Sequence, residues 1–426
     1  MIRRFQALNF RCLRYVDVAL DRFHVLVGPN ASGKSTVFDA LDFLGDMMRG
    51  EIDSAVDIRS DSFRDLVWNR PHTDGRLELA VEFDVPDAIR DRLPAAPDFR
   101  TFRYEVAIGV GDDGPRIESE RGILRSFPNS AQADSEQKQR TLFPDPMVPP
   151  RTLLTQGGRR GARTILSKSP EGRDSFNVET TDRSGQGWVT NISFGPRRSA
   201  LGHLPESPDN FPMATYVKHV LDNRLKFVFL DSADMRAPSP PNRRRSGLGE
   251  DGSGLPWCVR KLQEGHPDIY REWLRHVQTA LPDLEGICVV QRPEDLHAYL
   301  MLSYTSGVEV PSWVASDGTI RFLALTLLAY LPDPDNVYVL EEPENGIHPL
   351  AIDAVYSSLS SVYDSQVLVA THSPVFLGLA EPGEVLCFAR NDDGATDIVH
   401  GNDHPLLQDW RNSMDMNVLF ATGVIG

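Results

Sequence analysis

Cysteine is scarce in this chain and gives no sign of a disulfide framework or a metal site. The 426 residues include four cysteines, and no two of them lie close enough along the chain to form a metal-ligand pair. They are Cys12, Cys258, Cys288 and Cys387. Such isolated cysteines are typical of reduced thiols, so we expect a cytoplasmic protein.

Long hydrophobic runs are also missing. No apolar stretch is long enough to span a bilayer, and the first residues carry no apolar core of the signal-peptide kind. We therefore expect no contact with a membrane. Heptad runs and internal repeats are absent as well, which argues against a coiled-coil arm and against a repeat architecture.

Basic residues are outnumbered by acidic ones, and the formal net charge is −16. A surface with a net negative charge is not expected to bind nucleic acid nonspecifically. Two local basic stretches remain, at residues 157–163 and 243–245. Each is predicted as a solvated loop in the first place; contact with nucleic acid or an acidic partner is the alternative. The hydrophobic content of 41% is ordinary for a globular protein.

A phosphate-binding pattern lies near the start of the chain. Residues 28–36 fit G-x-x-x-x-G-K-[ST], preceded by a predicted strand at Phe23–Val27 and followed by a predicted helix at 36–48. Strand, glycine loop and helix together direct backbone N–H groups at one point, which suits nucleotide phosphates. The predicted nucleotide-binding residues are Gly28, Pro29, Asn30, Ala31, Ser32, Gly33, Lys34, Ser35 and Thr36. Lys34 is expected to reach the β- and γ-phosphates, and Ser35 to bind Mg²⁺.

Two acids end an apolar run far along the chain. Residues 337–340 predict a buried strand, and Glu341 and Glu342 follow it. A phosphate loop needs a carboxylate at a strand end to hold Mg²⁺, and Glu341 fits that role. Glu342, whose side chain is predicted to point elsewhere, can orient or deprotonate the water that attacks the γ-phosphate.

The predicted secondary structure and the composition change along the chain. A hairpin and several alternating segments, including a half-buried strand at 76–85, predict an antiparallel β layer around the phosphate loop. Residues 128–151 and 237–254 are rich in proline, glycine or polar residues and predict exposed connections, the second a disordered insertion or a lid. Beyond residue 316, helices alternate with strands, which favours a mainly parallel sheet. We divide the chain into residues 1–127, an insertion at 128–254, and 255–426.

Four motifs together carry a family resemblance. Residues 341–349, Glu-Glu-Pro-Glu-Asn-Gly-Ile-His-Pro, resemble the Walker B and D-loop region of ABC-type ATPases of the OLD and RecF-like group, which includes AAA ATPases of bacterial defence systems. Residues 369–374 resemble the switch-histidine motif of that group, with His372 as the histidine. Residues 316–319 resemble its shortened signature motif, and residues 9–11 its N-terminal hairpin.

The resemblance implies an α/β fold of the P-loop NTPase class. The expected architecture is an ABC-type head with an N-terminal antiparallel β layer, a mixed and mainly parallel core sheet, and an inserted α/β middle region. It implies ATP and Mg²⁺ as ligands and ATP hydrolysis to ADP and phosphate, with Lys34, Glu342 and His372 as catalytic residues. In such heads the signature helix contacts the ATP of a second subunit, a role that falls here on Ser316, Asp317 and Gly318. The resemblance therefore also implies a homodimer or a higher even oligomer.

Two departures from the group's pattern bear on the rate of hydrolysis. Glu341 stands where the group usually has aspartate. No glutamine occurs between Gln6 and Gln132, so the usual glutamine loop is missing; a substitute near residues 61–65 cannot be assigned. We therefore expect slow hydrolysis or a need for a partner.

Three functions compete at this point. The leading one is an ATP-driven dimeric switch that regulates a separate effector, such as a nuclease, in antiphage defence. The 54 residues after His372 show no acidic constellation, so we expect no built-in Toprim nuclease. The alternative is a RecF-like repair ATPase that binds DNA through the two basic stretches. A transporter subunit fits the residues after Glu341 and the long middle region less well.

Overall fold

The computed structural model describes most of the chain. The described residues are 1–68, 75–95, 97–126, 148–156, 161–171, 173–181, 189–245, 247–362 and 364–404. The prolines predicted as an exposed connection between 128 and 146, residues 157–160 of the first basic stretch and residues 405–426 lie outside them. Among the described residues, no helix combines the length and the apolar character that a membrane span requires.

The described residues form seventeen strands and ten α-helices. The strands are β1 (Ile2–Phe10), β2 (Leu13–Ala19), β3 (Phe23–Val27), β4 (Leu77–Asp84), β5 (Thr101–Gly111), β6 (Gly114–Arg125), β7 (Ala162–Lys168), β8 (Asp174–Asn177), β9 (Val189–Ile192), β10 (Leu225–Val228), β11 (Leu284–Gln291), β12 (Ala298–Tyr304), β13 (Glu309–Pro311), β14 (Val337–Glu341), β15 (Gln366–Ala370), β16 (Val385–Arg390) and β17 (Thr396–His400). The helices are α1 (Lys34–Arg49), α2 (Ile52–Asp57), α3 (Asp87–Arg90), α4 (Pro212–His219), α5 (Ser232–Arg236), α6 (Leu255–Gly265), α7 (Pro267–Ala280), α8 (Asp317–Leu327), α9 (Pro349–Ser360) and α10 (Pro374–Leu379).

Three sheets organise these elements. An antiparallel sheet has the order β2-β1-β4-β5-β6-β7-β8-β9. A central sheet has the order β10-β14-β15-β3-β16-β17, and all its pairs are parallel except that of β16 with β17. A small antiparallel sheet has the order β11-β12-β13. The predicted α/β class with an antiparallel layer and a mixed, mainly parallel core sheet is confirmed.

The central sheet separates two hydrophobic cores. β3 is buried throughout, and its side chains alternate between the two faces. Leu26 belongs to the core that contains α1 and the antiparallel sheet, whereas Val25 and Val27 belong to the core that contains α6 to α9. The strand that leads into the phosphate loop is therefore held from both sides.

The sheets cross both boundaries of the predicted three-part division. β7, β8 and β9 fall in the segment 128–254 but extend the antiparallel sheet begun by β1 to β6. β10 falls in the same segment and pairs with β14 in the central sheet. The division by residue number thus remains a prediction about folding units.

Two local predictions were wrong. β4 alternates as predicted, but it is buried on both faces rather than half-buried, because Glu78 accepts the N–H of Leu153 and Ala80 packs with the same residue. The stretch 237–254 is not a disordered insertion over its described residues. Leu248 is buried in the second core, and the N–H groups of Phe229 and Asp231 donate to the carbonyls of Glu250 and Asp251.

A buried ionic network holds the outer face of the antiparallel sheet. The Arg103 guanidinium donates to Glu82 at 3.0 Å, to Glu105 at 2.7 Å and to the carbonyl of Leu153 at 2.9 Å. Arg103, Glu82 and Glu105 are at most 4% exposed. The N–H groups of Leu153 and Thr155 donate to Glu78 and Glu105, so the carboxylates also fasten residues 152–155 across the sheet.

Removal of the central cation of this network is expected to destabilise the fold. In Arg103→Met, Glu82 and Glu105 stay buried without their shared partner, so we expect the free energy of unfolding to fall by about 3 kcal/mol. Urea denaturation measures it. The matched control is Arg100→Met, which removes a surface pair with Asp98 and is expected to cost less than about 1 kcal/mol. Equal losses in the two variants would contradict the role given to the network.

Candidate active site

Three loops that follow neighbouring parallel strands meet at one edge of the central sheet. β3 runs into the phosphate loop, β14 ends at Glu341, and β15 ends at Ala370. The carboxyl ends of parallel strands lie at the same edge of a sheet, where ligands of such folds bind. The N–H of Glu342 donates to the carbonyl of Ala370 at 2.7 Å, and that of Thr371 donates to the carbonyl of Leu26 at 3.1 Å. These bonds hold the three loops side by side.

The loops enclose a cavity of about 290 Å³, close to the lower end of the range of roughly 300–1,000 Å³ found for small-molecule sites. It brings together the two distant ends of the chain. Its lining residues are Cys12, Asn30, Ala31, Ser32, Gly33, Lys34, Ser35, Thr36, Glu341, Glu342, Ala370, His372 and Arg390. Of the predicted phosphate-loop residues, Gly28 and Pro29 stand outside this lining.

The conformation of the phosphate loop requires its glycines. Gly33 has φ +107°, and a Cβ atom there would lie 2.2 Å from the Thr396 hydroxyl oxygen. Gly28 has φ +150°, and a Cβ atom there would lie 2.3 Å from the carbonyl oxygen of Phe388. Real Cβ contacts are not this short, so both positions exclude larger residues. The loop therefore rests directly on β16 and β17.

Lys34 lies inside the cavity and is bonded to its own loop. Its ammonium group donates to the carbonyls of Gly28 at 2.7 Å and Pro29 at 3.1 Å. Burial lowers the pKa of Lys34, while the nearby carboxylates of Glu341 and Glu342 oppose that shift. No side chain caps the first turn of α1, which leaves its N–H groups available to a phosphate. The loop thus has the donors that a triphosphate needs.

Glu341 and Glu342 both line the cavity, although adjacent side chains of a strand point to opposite faces. The reason is a turn of the backbone at Glu342, which has φ +47°, a left-handed conformation that is uncommon for a residue other than glycine. The Asn345 amide donates a hydrogen bond to the Glu342 carboxylate. Such local strain at the end of a strand is typical of functional sites.

His372 reaches the same cavity from the loop after β15. The Thr371 hydroxyl donates to Glu344 and accepts the N–H of Ser373 at 2.9 Å, so both neighbours of His372 are fixed. Burial lowers the pKa of His372, and the charge of Lys34 lowers it further, against the opposing effect of Glu342. These shifts favour the neutral ring, which has one N–H donor and one acceptor.

The residues present also fit a magnesium ion held together with a nucleotide. No group of three or more His, Cys, Asp or Glu side chains in the described part of the chain is arranged to hold a metal alone. Magnesium at nucleotide sites takes most ligands from phosphate and water, with one or two from the protein. Ser35 and Glu341 offer such oxygens, and both line the cavity.

The signature-like residues lie outside the cavity. Ser316 caps α8, and its hydroxyl accepts the N–H of Thr319 at 3.1 Å. Gly318 packs so closely on the carbonyl of Gly346 that a Cβ atom would lie 2.5 Å from it. Asp317 pairs with Arg236 at 2.7 Å. The start of α8 therefore adjoins the loop 341–349 while Ser316 and Asp317 remain exposed.

Sequence reasoning missed three residues at this site. Cys12 and Arg390 line the cavity, and Thr396 donates to the carbonyl of Ser32 at 2.8 Å. Nothing in the sequence identifies the strand that ends at Arg390 as the neighbour of β3. Cys12 directly follows the hairpin motif at residues 9–11, which was the available signal.

The basic stretches proposed for nucleic acid are partly engaged within the chain. Arg163 donates to the carbonyls of Val178 and Thr181, and Arg243 pairs with Asp251 at 3.5 Å. The side chains of Arg244 and Arg245, like the whole of Arg159 and Arg160, lie outside the described part of the chain.

The fold and the cavity together define an ATPase head of the P-loop class, of ABC type. A family model described as "AAA domain, putative AbiEii toxin, Type IV TA system" matches residues 23–378. The chain belongs to this family of AAA ATPases.

Individual proteins are similar to this chain over a short stretch or in fold alone. A stretch of 48 residues is 46% identical to an OLD nuclease of Thermus scotoductus; it covers 11% of this chain and only 9% of the relative. The Smc head bound to the C-terminal winged-helix domain of ScpA is similar in fold, with a TM-score of 0.50 and 17% identity over 93% of this chain and 96% of that one. The corresponding Smc head from Pyrococcus furiosus has a TM-score of 0.48 and 15% identity over 96% and 99% of the two chains.

Cys12 provides a direct chemical probe of this cavity. Mg-ATP is expected to slow alkylation of Cys12 by iodoacetamide, because an occupied cavity covers its thiol. Cys288 is exposed away from the cavity and serves as the internal control, while Cys258 and Cys387 are buried. Mass spectrometry of the alkylated peptides measures both rates. Equal slowing at Cys12 and Cys288, or none at Cys12, would contradict the location of the site.

Proposed function

We propose that the chain binds ATP with Mg²⁺ and hydrolyses it to ADP and phosphate. The observation that carries this proposal is the single cavity in which the phosphate loop meets Glu341, Glu342 and His372. These residues come from opposite ends of the chain, and each has the chemistry that one step of phosphoryl transfer to water requires.

Each residue has a specific task in this proposal. Lys34 exchanges its two carbonyl acceptors for the β- and γ-phosphates. Ser35 and Glu341 hold the magnesium ion, which neutralises charge on the phosphates. Glu342 accepts a proton from the attacking water, whose oxygen bonds to the γ-phosphorus as the bond to ADP breaks. His372 donates its N–H to the γ-phosphate or the water.

We further propose that the active unit is a dimer. Ser316, Asp317 and Gly318 lie at the exposed start of α8, outside the cavity of their own chain. The start of a helix suits a phosphate, so these residues are available to the nucleotide of a second copy. The contact of Gly318 with Gly346 joins this helix to the loop after Glu341 and Glu342. Binding at one site is thereby connected to the face that meets the partner.

The biological proposal is that ATP-dependent closure of the two heads regulates a separate effector in bacterial antiphage defence. It is supported by the family's description as an AAA domain of a toxin–antitoxin system and by the short likeness to an OLD nuclease. The test is a plaque assay in which the gene is expressed with its neighbours. Protection that persists unchanged in Lys34→Ala would overturn a role for ATP in it.

Two substitutions separate ATP binding from hydrolysis. Lys34→Ala is expected to abolish measurable binding of ATP, because it removes the cation inside the cavity. Glu342→Gln keeps the shape of the side chain but not the base, so it is expected to bind ATP normally and to hydrolyse it at least 100-fold more slowly. Titration calorimetry and phosphate release measure the two effects. Normal hydrolysis by either variant would contradict the assignment.

Complementation between two inactive variants tests whether Ser316 acts on the ATP of the partner. A dimer of Lys34→Ala has no functional phosphate loop, and a dimer of Ser316→Arg has no functional helix start. A mixed dimer retains one intact site, formed by the loop of one variant and the helix start of the other. We expect the mixture to regain about a quarter of the wild-type rate, since half of the dimers are mixed and each has one working site.

The controls for this experiment are each variant alone, both of which are expected to be inactive, and a mixture of Lys34→Ala with Glu342→Gln. Lys34 and Glu342 of one chain belong to the same site. Each site of this mixed dimer therefore contains one of the two substitutions, and none is intact. Recovery in that control, or none with Ser316→Arg, would refute the trans arrangement.

A further inference from the structure

Arg390 is a cation in the nucleotide cavity to which the proposed reaction gives no task. It ends β16 and lines the same cavity as the phosphate loop. Its side chain is exposed, and no other described residue forms an ion pair or a hydrogen bond with it. An arginine without a partner beside a phosphate loop is available to a ligand.

The order of strands separates Arg390 from the hydrolytic residues. Glu341 and His372 follow β14 and β15, on one side of β3, whereas Arg390 ends β16 on the other side. From β14 to β16 there are three strand spacings, about 14 Å. A triphosphate on the loop with its γ-phosphate near Glu342 therefore has its nucleoside end on the side of Arg390.

The wall of the cavity beside Arg390 is held in place by hydrogen bonds and an ion pair. Thr396 donates its N–H to the carbonyl of Cys12 at 2.9 Å, and its hydroxyl lies 3.3 Å from the Cys12 sulfur. Arg14 pairs with Asp393 at 2.9 Å, which ties the start of β2 to the β16–β17 turn. Arg390 thus projects from a fixed corner of the cavity.

The planar side chain at this corner is the guanidinium of Arg390. His372 is the single ring among the described lining residues, and it belongs to the opposite side of β3. The other lining residues near β16 are small: Cys12, Ser32, Gly33 and Thr36. A nucleobase gains affinity by stacking on a planar partner, and a guanidinium group is planar and stacks on aromatic faces.

We propose that Arg390 binds the nucleoside end of the nucleotide, with its guanidinium plane against the base. The proposal rests on the proposed ATP site and adds to it the direction in which the nucleotide lies. Arg390 acts on affinity and base preference and takes no part in the hydrolytic step. Purines, with the larger stacking face, are expected to bind more tightly than pyrimidines.

Titration calorimetry with three ligands tests this assignment. The ligands are Mg-ATP, Mg-ADP and inorganic tripolyphosphate, which has the phosphates but no nucleoside. Arg390→Ala is expected to weaken ATP and ADP equally, by about tenfold, the lower part of the range for base stacking. Tripolyphosphate is expected to bind as in the wild type. Arg390→Lys is expected to behave like Arg390→Ala, because it restores the charge but not the plane.

The matched control is Arg14→Ala, which removes a paired arginine at the start of β2, outside the cavity, and is expected to leave all three affinities unchanged. A loss for ATP but not ADP would place Arg390 on the γ-phosphate; a loss that includes tripolyphosphate, or rescue by lysine, would place it on another phosphate. Either result, or no loss, overturns the inference while the ATP site stands. If the wild type binds neither ATP nor ADP, the proposed function fails as well.

Discussion

The position of β3 between β15 and β16 is the constraint on which the site depends. Parallel pairing on both sides fixes the phosphate loop at the same edge as the loops after Glu341 and Ala370. About 300 residues separate Gly33 from Glu341 along the chain, so this proximity exists only when the central sheet is complete. The antiparallel sheet and the helices of the second core stabilise the position of β3 by burying both of its faces. The geometry of the binding site in this protein therefore forms only when the chain folds.

Much of this arrangement is predictable from the sequence because the relevant signals are local. The pattern at residues 28–36, with a strand before it and a helix after it, specifies a loop geometry that only glycine permits at two positions. The apolar run before Glu341 and the Ser316 cap are local in the same sense. Strand alternation likewise identified most of the antiparallel layer.

What the sequence did not reveal depends on contacts between distant segments. Burial of both faces of β4 follows from residues 152–155, whose chain crosses the sheet because Glu78 and Glu105 accept its N–H groups. Arg390 and Cys12 belong to the cavity only because β16 is the neighbour of β3. The shared orientation of Glu341 and Glu342 follows from a left-handed residue that no propensity predicts. Pairing order and single backbone angles of this kind are set by the whole fold.

The central claim is that one magnesium–triphosphate occupies the cavity between the two ends of the chain. An experimental structure of the Glu342→Gln variant with Mg-ATP tests it most directly. The account predicts triphosphate density on the N–H groups of residues 33–36, magnesium bound to the Ser35 hydroxyl, and the γ-phosphate next to residues 342 and 372. Nucleotide bound elsewhere, or a γ-phosphate turned toward Arg390 and away from those residues, would contradict it.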